Sequence, residues 1–150
     1  MNRTALIAAL CLGALVGTAL PARPTAQAPV FTPRSDDRPF SVSVRTGKTI
    51  YLSGQIGFAA DGKGVVPGGI EAETRRTMEL IGADLARQGL GYDNLVKCTV
   101  MLADMKDWPA FNAIYAGYFK PGRYPARSAL GANGLALGAR VEVECIAWAA

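Results

Sequence analysis

Two charged side chains in the last third of the chain lie where strand residues are expected. Arg127 opens a short strand-like run, and Glu142 lies within residues 140–148, where residue types alternate. A guanidinium presents a planar fork of donors that suits a carboxylate. The two residues therefore either face a ligand or serve a structural ion pair, in which Arg127 would contact Glu142 or Glu144.

Composition excludes several other chemistries. The chain of 150 residues contains no histidine and three cysteines. Nucleophilic catalysis by Ser-His or Cys-His pairs is therefore excluded. The usual zinc sites also lack their ligands, so we predict no bound metal.

The first 28 residues predict a secretory signal peptide. Residues 5–20 are almost wholly apolar, and residues 26–28 (Ala-Gln-Ala) show the small-x-small pattern of a cleavage site. This apolar core is shorter than the roughly 20 residues of a spanning helix, which disfavours the alternative of a retained membrane anchor. We expect cleavage after Ala28, a periplasmic or secreted location, an irregular lead-in at residues 29–39 and one domain at residues 40–150.

Cleavage would also change the charge and the cysteine count. The full chain has 16 Lys and Arg against 12 Asp and Glu; without Arg3 and Arg23 the basic residues fall to 14 and the net charge to +2. Such a small charge does not predict nucleic-acid binding. Cys98 and Cys145 remain, and we interpret them as buried free cysteines, with a disulfide as the alternative for an exported protein.

Hydrophobic periodicity predicts the first half of an α+β domain. Residues 40–44 and 49–53 flank a turn and predict a β-hairpin. Residues 70–88 carry apolar side chains at three- and four-residue steps and predict an amphipathic helix that Gly89 ends; we interpret its charges as a solvated face. Residues 95–102 predict a strand parallel to the second hairpin strand, as its neighbour or near neighbour.

A second helix is predicted after Asp107, which suits the N-cap position. The aromatic stripe over residues 108–118 is more typical of a core face than of a base-stacking platform. With strands from Arg127 and at residues 140–148, the order is β-β-α-β-α-β-β, a single mixed sheet with both helices on one face. The last strand would point two carboxylates and two large apolar groups away from the helices, and this uncovered face predicts a homo-oligomer.

Six segments resemble, in the same order, the Rid family, also called YjgF, of reactive imine and enamine deaminases. They are residues 52–56 (Leu-Ser-Gly-Gln-Ile), 65–67 (Val-Val-Pro), 96–100 (Val-Lys-Cys-Thr-Val), 111–115 (Phe-Asn-Ala-Ile-Tyr), 124–128 (Tyr-Pro-Ala-Arg-Ser) and 141–147 (Val-Glu-Val-Glu-Cys-Ile-Ala). Each segment alone would be weak, but the combination extends over nearly all of residues 40–148 and is specific.

The resemblance implies a chorismate-mutase-like fold and a homotrimer, with the sheets packed into a central barrel and a cleft at each subunit interface. It implies that Arg127 binds the carboxylate of a 2-imino acid, and that Glu142 orients or activates the water that attacks the imine carbon. Ammonia and a 2-oxo acid would be released, with no cofactor because an imine is already electrophilic. The further substrate-binding positions implied are Gly54, through its backbone, Ser53, Phe40 and Asn112.

Three features depart from the family pattern. Phe40 replaces an aromatic that carries a hydroxyl, Ala129 replaces a frequent cysteine, and export would separate this chain from the cytosolic enzymes that make imines. A second hypothesis is therefore a trimeric module that binds small carboxylates such as 2-oxo acids without turnover. A third, the ribonuclease or translation-inhibitor activity reported for some members, is disfavoured by export and the near-neutral charge.

Overall fold

A single mixed sheet forms the framework of the domain. The computed structural model describes residues 27–150, so the predicted signal peptide lies outside the described residues except for its last two positions. The strands are β1 (Val30–Thr32), β2 (Ser43–Thr46), β3 (Thr49–Leu52), β4 (Gln55–Ile56), β5 (Leu95–Leu102), β6 (Ala126–Gly131) and β7 (Val141–Trp148). Their order is β1-β2-β3-β7-β5-β6, with β4 also paired to β7. β5 and β6 are parallel and the other pairs are antiparallel.

Two helices cover one face of this sheet, as the periodicity predicts. They are α1 (Gly69–Arg87) and α2 (Trp108–Ala116). Their apolar faces and the inward-facing strand residues form one core, which includes Met78, Ile81, Phe111, Val100 and Val143. β7 lies between β3 and β5, so these two strands are near neighbours, and the predicted α+β architecture is confirmed. Within residues 27–150, no helix is both long enough and apolar enough to cross a bilayer.

The two faces of β7 differ as the alternation predicts. Val141, Val143, Cys145 and Ala147 are buried against the helices, whereas the residues between them point to the opposite face. On that outer face Tyr51 and Trp148 are 49% and 47% exposed. A single chain therefore leaves large apolar groups of this face in solvent, which is consistent with the predicted homo-oligomer.

The prediction of an irregular lead-in at residues 29–39 is wrong in part. β1 lies within it and pairs antiparallel with β2, Val30 opposite Arg45 and Thr32 opposite Ser43. This three-residue strand is too short to show alternation, and the partner β2 supplies its hydrogen bonds. The predicted hairpin strand also begins later, at Ser43, because residues 40–42 lie outside the ladder.

Two acidic residues of α1 are buried, which corrects the interpretation of its charges as a solvated face. Glu73 and Asp84 are 3% and 6% exposed. Glu73 accepts the backbone N–H of Arg140 at 2.7 Å, and Asp84 accepts the Gln55 side-chain amide at 2.6 Å. Burial raises the pKa of both carboxyls. Their partners lie far away in the sequence, so helical periodicity could not reveal them.

Asp107 precedes α2 but does not cap it through its side chain. Its carboxylate instead accepts two hydrogen bonds from the Arg140 guanidinium, at 2.8 and 2.9 Å. The predicted N-cap position is therefore confirmed, but its side chain forms no capping hydrogen bond, because a charge-assisted bidentate pair with a residue before β7 occupies the same carboxylate.

The two cysteines of the domain form a disulfide, so the interpretation as free cysteines is wrong. Cys98 on β5 and Cys145 on β7 are directly opposite each other in the antiparallel ladder. Their Cα atoms are 4.1 Å apart, as in a non-hydrogen-bonded cross-strand pair. Sequence alone does not give this register, and a shift by one residue would separate the two sulfurs.

We expect loss of this disulfide to lower the free energy of unfolding by about 2–4 kcal/mol, because the cross-link restricts the unfolded chain. Guanidinium chloride denaturation of the oxidised protein, and of protein reduced in denaturant and refolded with a thiol reductant, measures the difference. A Cys98→Ala/Cys145→Ala variant is the control. Its unfolding midpoint should be the same with and without the thiol reductant. Equal midpoints for oxidised and reduced protein would contradict the prediction.

Candidate functional site

Three of the predicted site residues line one cleft, which we call the Glu142 cleft. It has a volume of about 300 Å³ and lies beside the start of β4. Phe40, Gly54 and Glu142 line it together with two arginines of the lead-in, Arg34 and Arg38. The cleft thus combines one carboxylate, two guanidiniums and an aromatic ring.

Glu142 is positioned by the middle of the sheet. It lies opposite Ile56 of β4 and Met101 of β5, so its backbone is held on both sides. The carboxylate passes directly over the backbone of Gly54, where a Cβ atom would overlap Glu142 Oε1. A residue without a side chain is therefore required at position 54 for the carboxylate to occupy this place.

The environment of the Glu142 carboxylate disfavours its charged form. Burial raises the pKa of its carboxyl, and repulsion by Glu144 on the same face of β7 raises it further. Within the described residues no hydrogen bond or ion pair occupies its oxygens. An unpaired carboxylate with a raised pKa can accept a proton from water, so the predicted role is physically reasonable.

The family resemblance implies imine hydrolysis as the activity of this protein. We expect Gly54→Ala to lower that activity by about 10-fold or more, because the added methyl group displaces the Glu142 carboxylate. Steady-state kinetics with an imine substrate would measure this loss, and circular dichroism would show that the fold is retained. Gly91→Ala is a control, since Gly91 also lies outside helices and strands, has an extended backbone that any residue adopts, and would carry a Cβ that meets no neighbour within 4 Å. Equal activities of the wild type and Gly54→Ala would contradict the prediction.

Arg127 and Asn112 line a second pocket, which we call the Arg127 pocket. It has a volume of about 330 Å³ and lies between α2 and the edge strand β6. Tyr115 and Tyr124 also line it. The pocket is therefore a largely aromatic site with one guanidinium.

The Arg127 guanidinium is held by one hydrogen bond and two aromatic rings. Its Nη2 donates to Asn112 Oδ1 at 2.8 Å. Its central carbon lies 4.5 Å from the ring centroid of Trp108 and 4.7 Å from that of Tyr115. This packing fixes the plane of the guanidinium and leaves other N–H donors for a carboxylate. Asn112 thus positions Arg127, and direct binding of substrate by Asn112 stays a prediction.

Tyr115 is a buried tyrosine beneath this guanidinium. It is 2% exposed, and its hydroxyl has no hydrogen-bond partner among the described residues. Burial raises its pKa to about 12 despite the nearby positive charge of Arg127. The hydroxyl therefore stays protonated at neutral pH, and Tyr115 contributes its ring rather than a charge.

Arg127 and Glu142 lie on opposite faces of the sheet within one chain. Arg127 contacts α2, on the face that the helices cover. Glu142 lies between Val141 and Val143, which point to that face, so its side chain points to the other. No ion pair joins Arg127 to Glu142 or Glu144 within the described residues, and the structural ion-pair alternative is not seen in the single chain.

Ser53 has a different place from the other predicted residues. Its hydroxyl donates to the Ser41 carbonyl at 2.6 Å and so connects the segment just before β2 to the end of β3. It lines neither the Glu142 cleft nor the Arg127 pocket. This position supports Phe40 and Gly54 indirectly, whereas substrate binding by Ser53 stays a prediction.

Among the residues of these two sites that sequence reasoning missed, two arginines and two aromatic residues matter most for the chemistry. Arg34 and Arg38 lie in a segment without periodicity, and only their closeness to Phe40 could have signalled them. Trp108 and Tyr115 belong to the aromatic stripe of α2 and do contribute to the core, as predicted. Their second role, stacking on Arg127, depends on the pairing of β6 with β5 and has no local signal.

Comparisons with known proteins agree with this architecture. A model of the Endoribonuclease L-PSP family matches residues 33–149. The chain is 42% identical over 109 residues to the mouse (Mus musculus) 2-iminobutanoate/2-iminopropanoate deaminase. The aligned residues cover 73% of this chain and 80% of the relative. It superposes with a TM-score of 0.76 on the Rid family protein YyfA from Yersinia pestis, at 33% identity, covering 81% of this chain and 100% of that one. RidA from the Antarctic bacterium Psychrobacter superposes with a TM-score of 0.71 at 30% identity, covering 85% and 100%.

Proposed function

This chain belongs to the Endoribonuclease L-PSP family, also called Rid or YjgF, and we propose that it hydrolyses reactive 2-imino and enamine acids to 2-oxo acids and ammonia. Relatives at 42% and 41% identity carry the name 2-iminobutanoate/2-iminopropanoate deaminase, so it is an enzyme of the deaminase type. The observation that carries the proposal is the unpaired Glu142 carboxylate, which lies over Gly54 with a raised pKa.

The proposed reaction needs one carboxylate-binding group and one base. Arg127 binds the carboxylate of the 2-imino acid through its free N–H donors and so orients the C=N bond. Glu142 accepts a proton from water as the water oxygen bonds to the imine carbon. The same proton then passes to the nitrogen, which gives a carbinolamine with one hydroxyl and one amino group. Glu142 then transfers the proton of that hydroxyl to the nitrogen while the C–N bond breaks, so that the C=O bond of the 2-oxo acid forms and ammonia leaves.

The proposed site is shared between copies of the chain. Arg127 and Glu142 cannot meet within one subunit, because they project from opposite faces of the sheet. β6 is an edge strand, so the Arg127 pocket is open to a neighbour that presents its Glu142 cleft. Repeated head-to-tail contacts of this kind close into a ring, and the family resemblance suggests a homotrimer with the outer sheet faces inside. Native mass spectrometry would show three chains per particle.

We also propose that the protein works outside the cytoplasm, in the periplasm or secreted, after cleavage behind Ala28. The Cys98–Cys145 disulfide supports this compartment, because disulfides persist in oxidising environments and are rare in the cytosol. The N-terminus of the protein isolated from its native host tests the cleavage site, and Pro29 is the expected first residue.

The activity is tested with 2-iminobutanoate or 2-aminoacrylate generated in situ. We expect the purified protein to accelerate imine disappearance over buffer, with ammonia and 2-oxo acid released in equal amounts. No acceleration would overturn the proposal. The second candidate function is a module that binds small carboxylates without turnover. It is favoured by Phe40, which lines the Glu142 cleft but lacks the hydroxyl of the aromatic residue that it replaces. Calorimetry that shows Arg127-dependent binding of 2-oxobutanoate without any turnover would support that candidate instead.

A further inference from the structure

Two arginines of the lead-in face the Glu142 cleft from the side away from β7. Arg34 and Arg38 both line this cleft, and both also line a larger adjoining cavity of about 590 Å³ in front of Asp84 and Arg87. The two spaces share four lining residues, Arg34, Arg38, Gln55 and Phe58, so they adjoin along these side chains, and we call them together the recess. A ligand group extending away from Glu142 would meet the guanidiniums first.

Asp36 holds the two guanidiniums side by side but neutralises only one of them. Arg34 donates to both oxygens of Asp36, at 2.7 and 2.9 Å, and Arg38 donates to one of them at 3.0 Å. These hydrogen bonds, chiefly from Arg34, keep the pKa of the Asp36 carboxyl below its ordinary value, so it carries a full negative charge. Asp84 of the larger cavity also attracts Arg34, but it forms its ion pair with Arg87. The three arginines against Asp36 and Asp84 therefore leave an excess of one positive charge, and several N–H donors remain free.

Aromatic rings fix the orientation of both arginines. The guanidinium carbon of Arg34 lies 4.7 Å from the centroid of Phe40, and that of Arg38 lies 5.0 Å from that of Phe58. Phe40 and Phe58 also line the Glu142 cleft. The ring at position 40 thus serves as a support for Arg34, a role that needs no hydroxyl. Stacked guanidiniums with free donors are suited to binding a second carboxylate.

From this arrangement we infer that Arg34 and Arg38 form a second anion-binding site, which selects 2-imino acids whose side chain ends in a carboxylate. The inference rests on the proposed function, in which Arg127 takes the carboxylate next to the imine and Glu142 activates water. The side chain of such a dicarboxylic imino acid would extend along the recess, from the carbon beside Glu142 to the guanidiniums. The imines of glutamate and aspartate are members of this substrate class.

The test compares dicarboxylic and monocarboxylic imines. An amino-acid oxidase, with catalase present, generates 2-iminoglutarate or 2-iminobutanoate, and trapping with semicarbazide reports the imine that remains. The quantity measured is the ratio of kcat/KM for 2-iminoglutarate to that for 2-iminobutanoate. We expect this ratio to exceed one in the wild type and to fall about 10-fold or more in Arg34→Gln/Arg38→Gln, because a charge-assisted pair is lost.

Two variants separate binding from a purely structural role of the cluster. Asp36→Asn breaks the bridge but keeps both guanidiniums, so the ratio should be retained or increased. Arg45→Gln removes an arginine of β2 that lines neither the Glu142 cleft nor the larger cavity, so the ratio should be unchanged. The inference is overturned if the wild type does not prefer 2-iminoglutarate, or if Asp36→Asn lowers the ratio as much as the double arginine variant does.

Binding of stable 2-oxo acids tests the second site without any turnover. Calorimetry should show tighter binding of 2-oxoglutarate than of 2-oxobutanoate, and Arg34→Gln/Arg38→Gln should remove the difference. If the protein prefers 2-oxoglutarate through the two arginines but does not hydrolyse imines, the proposed function is wrong and the anion site is supported. If both ligands bind equally while imines are hydrolysed, the anion site fails and the proposed function stands.

Discussion

Replacing Arg127 with lysine should lower kcat/KM for 2-iminobutanoate by about 100-fold or more, with the fold retained. The guanidinium is held flat between Asn112 and the rings of Trp108 and Tyr115, which leaves its remaining donors in one plane. A lysine ammonium keeps the charge but loses the fork of donors and the stacking, so it cannot hold the substrate carboxylate in one orientation. Steady-state kinetics with the imine generated in situ measure the loss.

Arg123→Lys is the matched control, since Arg123 is exposed just before the same segment and lines neither site. Its kcat/KM should equal that of the wild type. Thermal unfolding of both variants shows whether either change affects stability. Wild-type activity in Arg127→Lys or in Arg127→Ala would remove Arg127 from the proposed mechanism.

Glu142→Gln should lower kcat by about 100- to 10,000-fold, the usual contribution of a general base, with a smaller change in KM. Glutamine has the shape of glutamate and can still contact the substrate, but it cannot accept the proton of the attacking water. Glu144→Gln is the matched control, because Glu144 lies two residues further along the same face of β7. It should keep most of the activity.

The control variant Glu144→Gln also gives a prediction for the dependence of kcat on pH. Glu142 works as a base when deprotonated, so activity should rise as the pH increases through its raised pKa. Repulsion by Glu144 contributes to that increase in pKa, after burial. Glu144→Gln should therefore lower the pKa of Glu142 and move the acidic limb of the kcat profile to lower pH. A limb that stays in place, or one that moves to higher pH, would contradict this assignment.

Mixing two inactive variants tests whether the site is shared between subunits. Arg127→Ala subunits retain Glu142, and Glu142→Gln subunits retain Arg127. Refolding an equal mixture should give about a quarter of the wild-type activity if each site takes one residue from each of two neighbouring subunits in a ring. A mixture as inactive as its components would show that the two residues do not act across an interface.

Several features of the fold could not be read from the sequence because they depend on distant partners. The three-residue strand β1 exists through its pairing with β2. The buried carboxylate of Glu73 accepts a hydrogen bond from the backbone N–H of Arg140, which lies 67 positions further along the chain. The Cys98–Cys145 disulfide depends on the register of β5 against β7. Periodicity reports which face of an element is apolar, but it does not report which residues of other elements lie opposite.

The sequence by itself determined the architecture and the residue types of the site. The absence of histidine excluded catalysis by Ser-His or Cys-His pairs, alternation in residues 141–148 separated the buried face from Glu142, and the ordered segments indicated the family. These properties are contained in the composition and in short segments of the sequence, so they can be recognised without the tertiary structure. They also identified Arg127 and Glu142 as the pair of interest.

Only the tertiary structure decided how these residues are arranged. It placed Arg127 and Glu142 on opposite faces of one sheet, and so made a neighbouring copy necessary for a shared site. It also brought Arg34 and Arg38 from an irregular segment to the cleft of Glu142. The physical reason is that strand register and the path of the lead-in result from contacts between residues far apart in the chain, which no local pattern encodes.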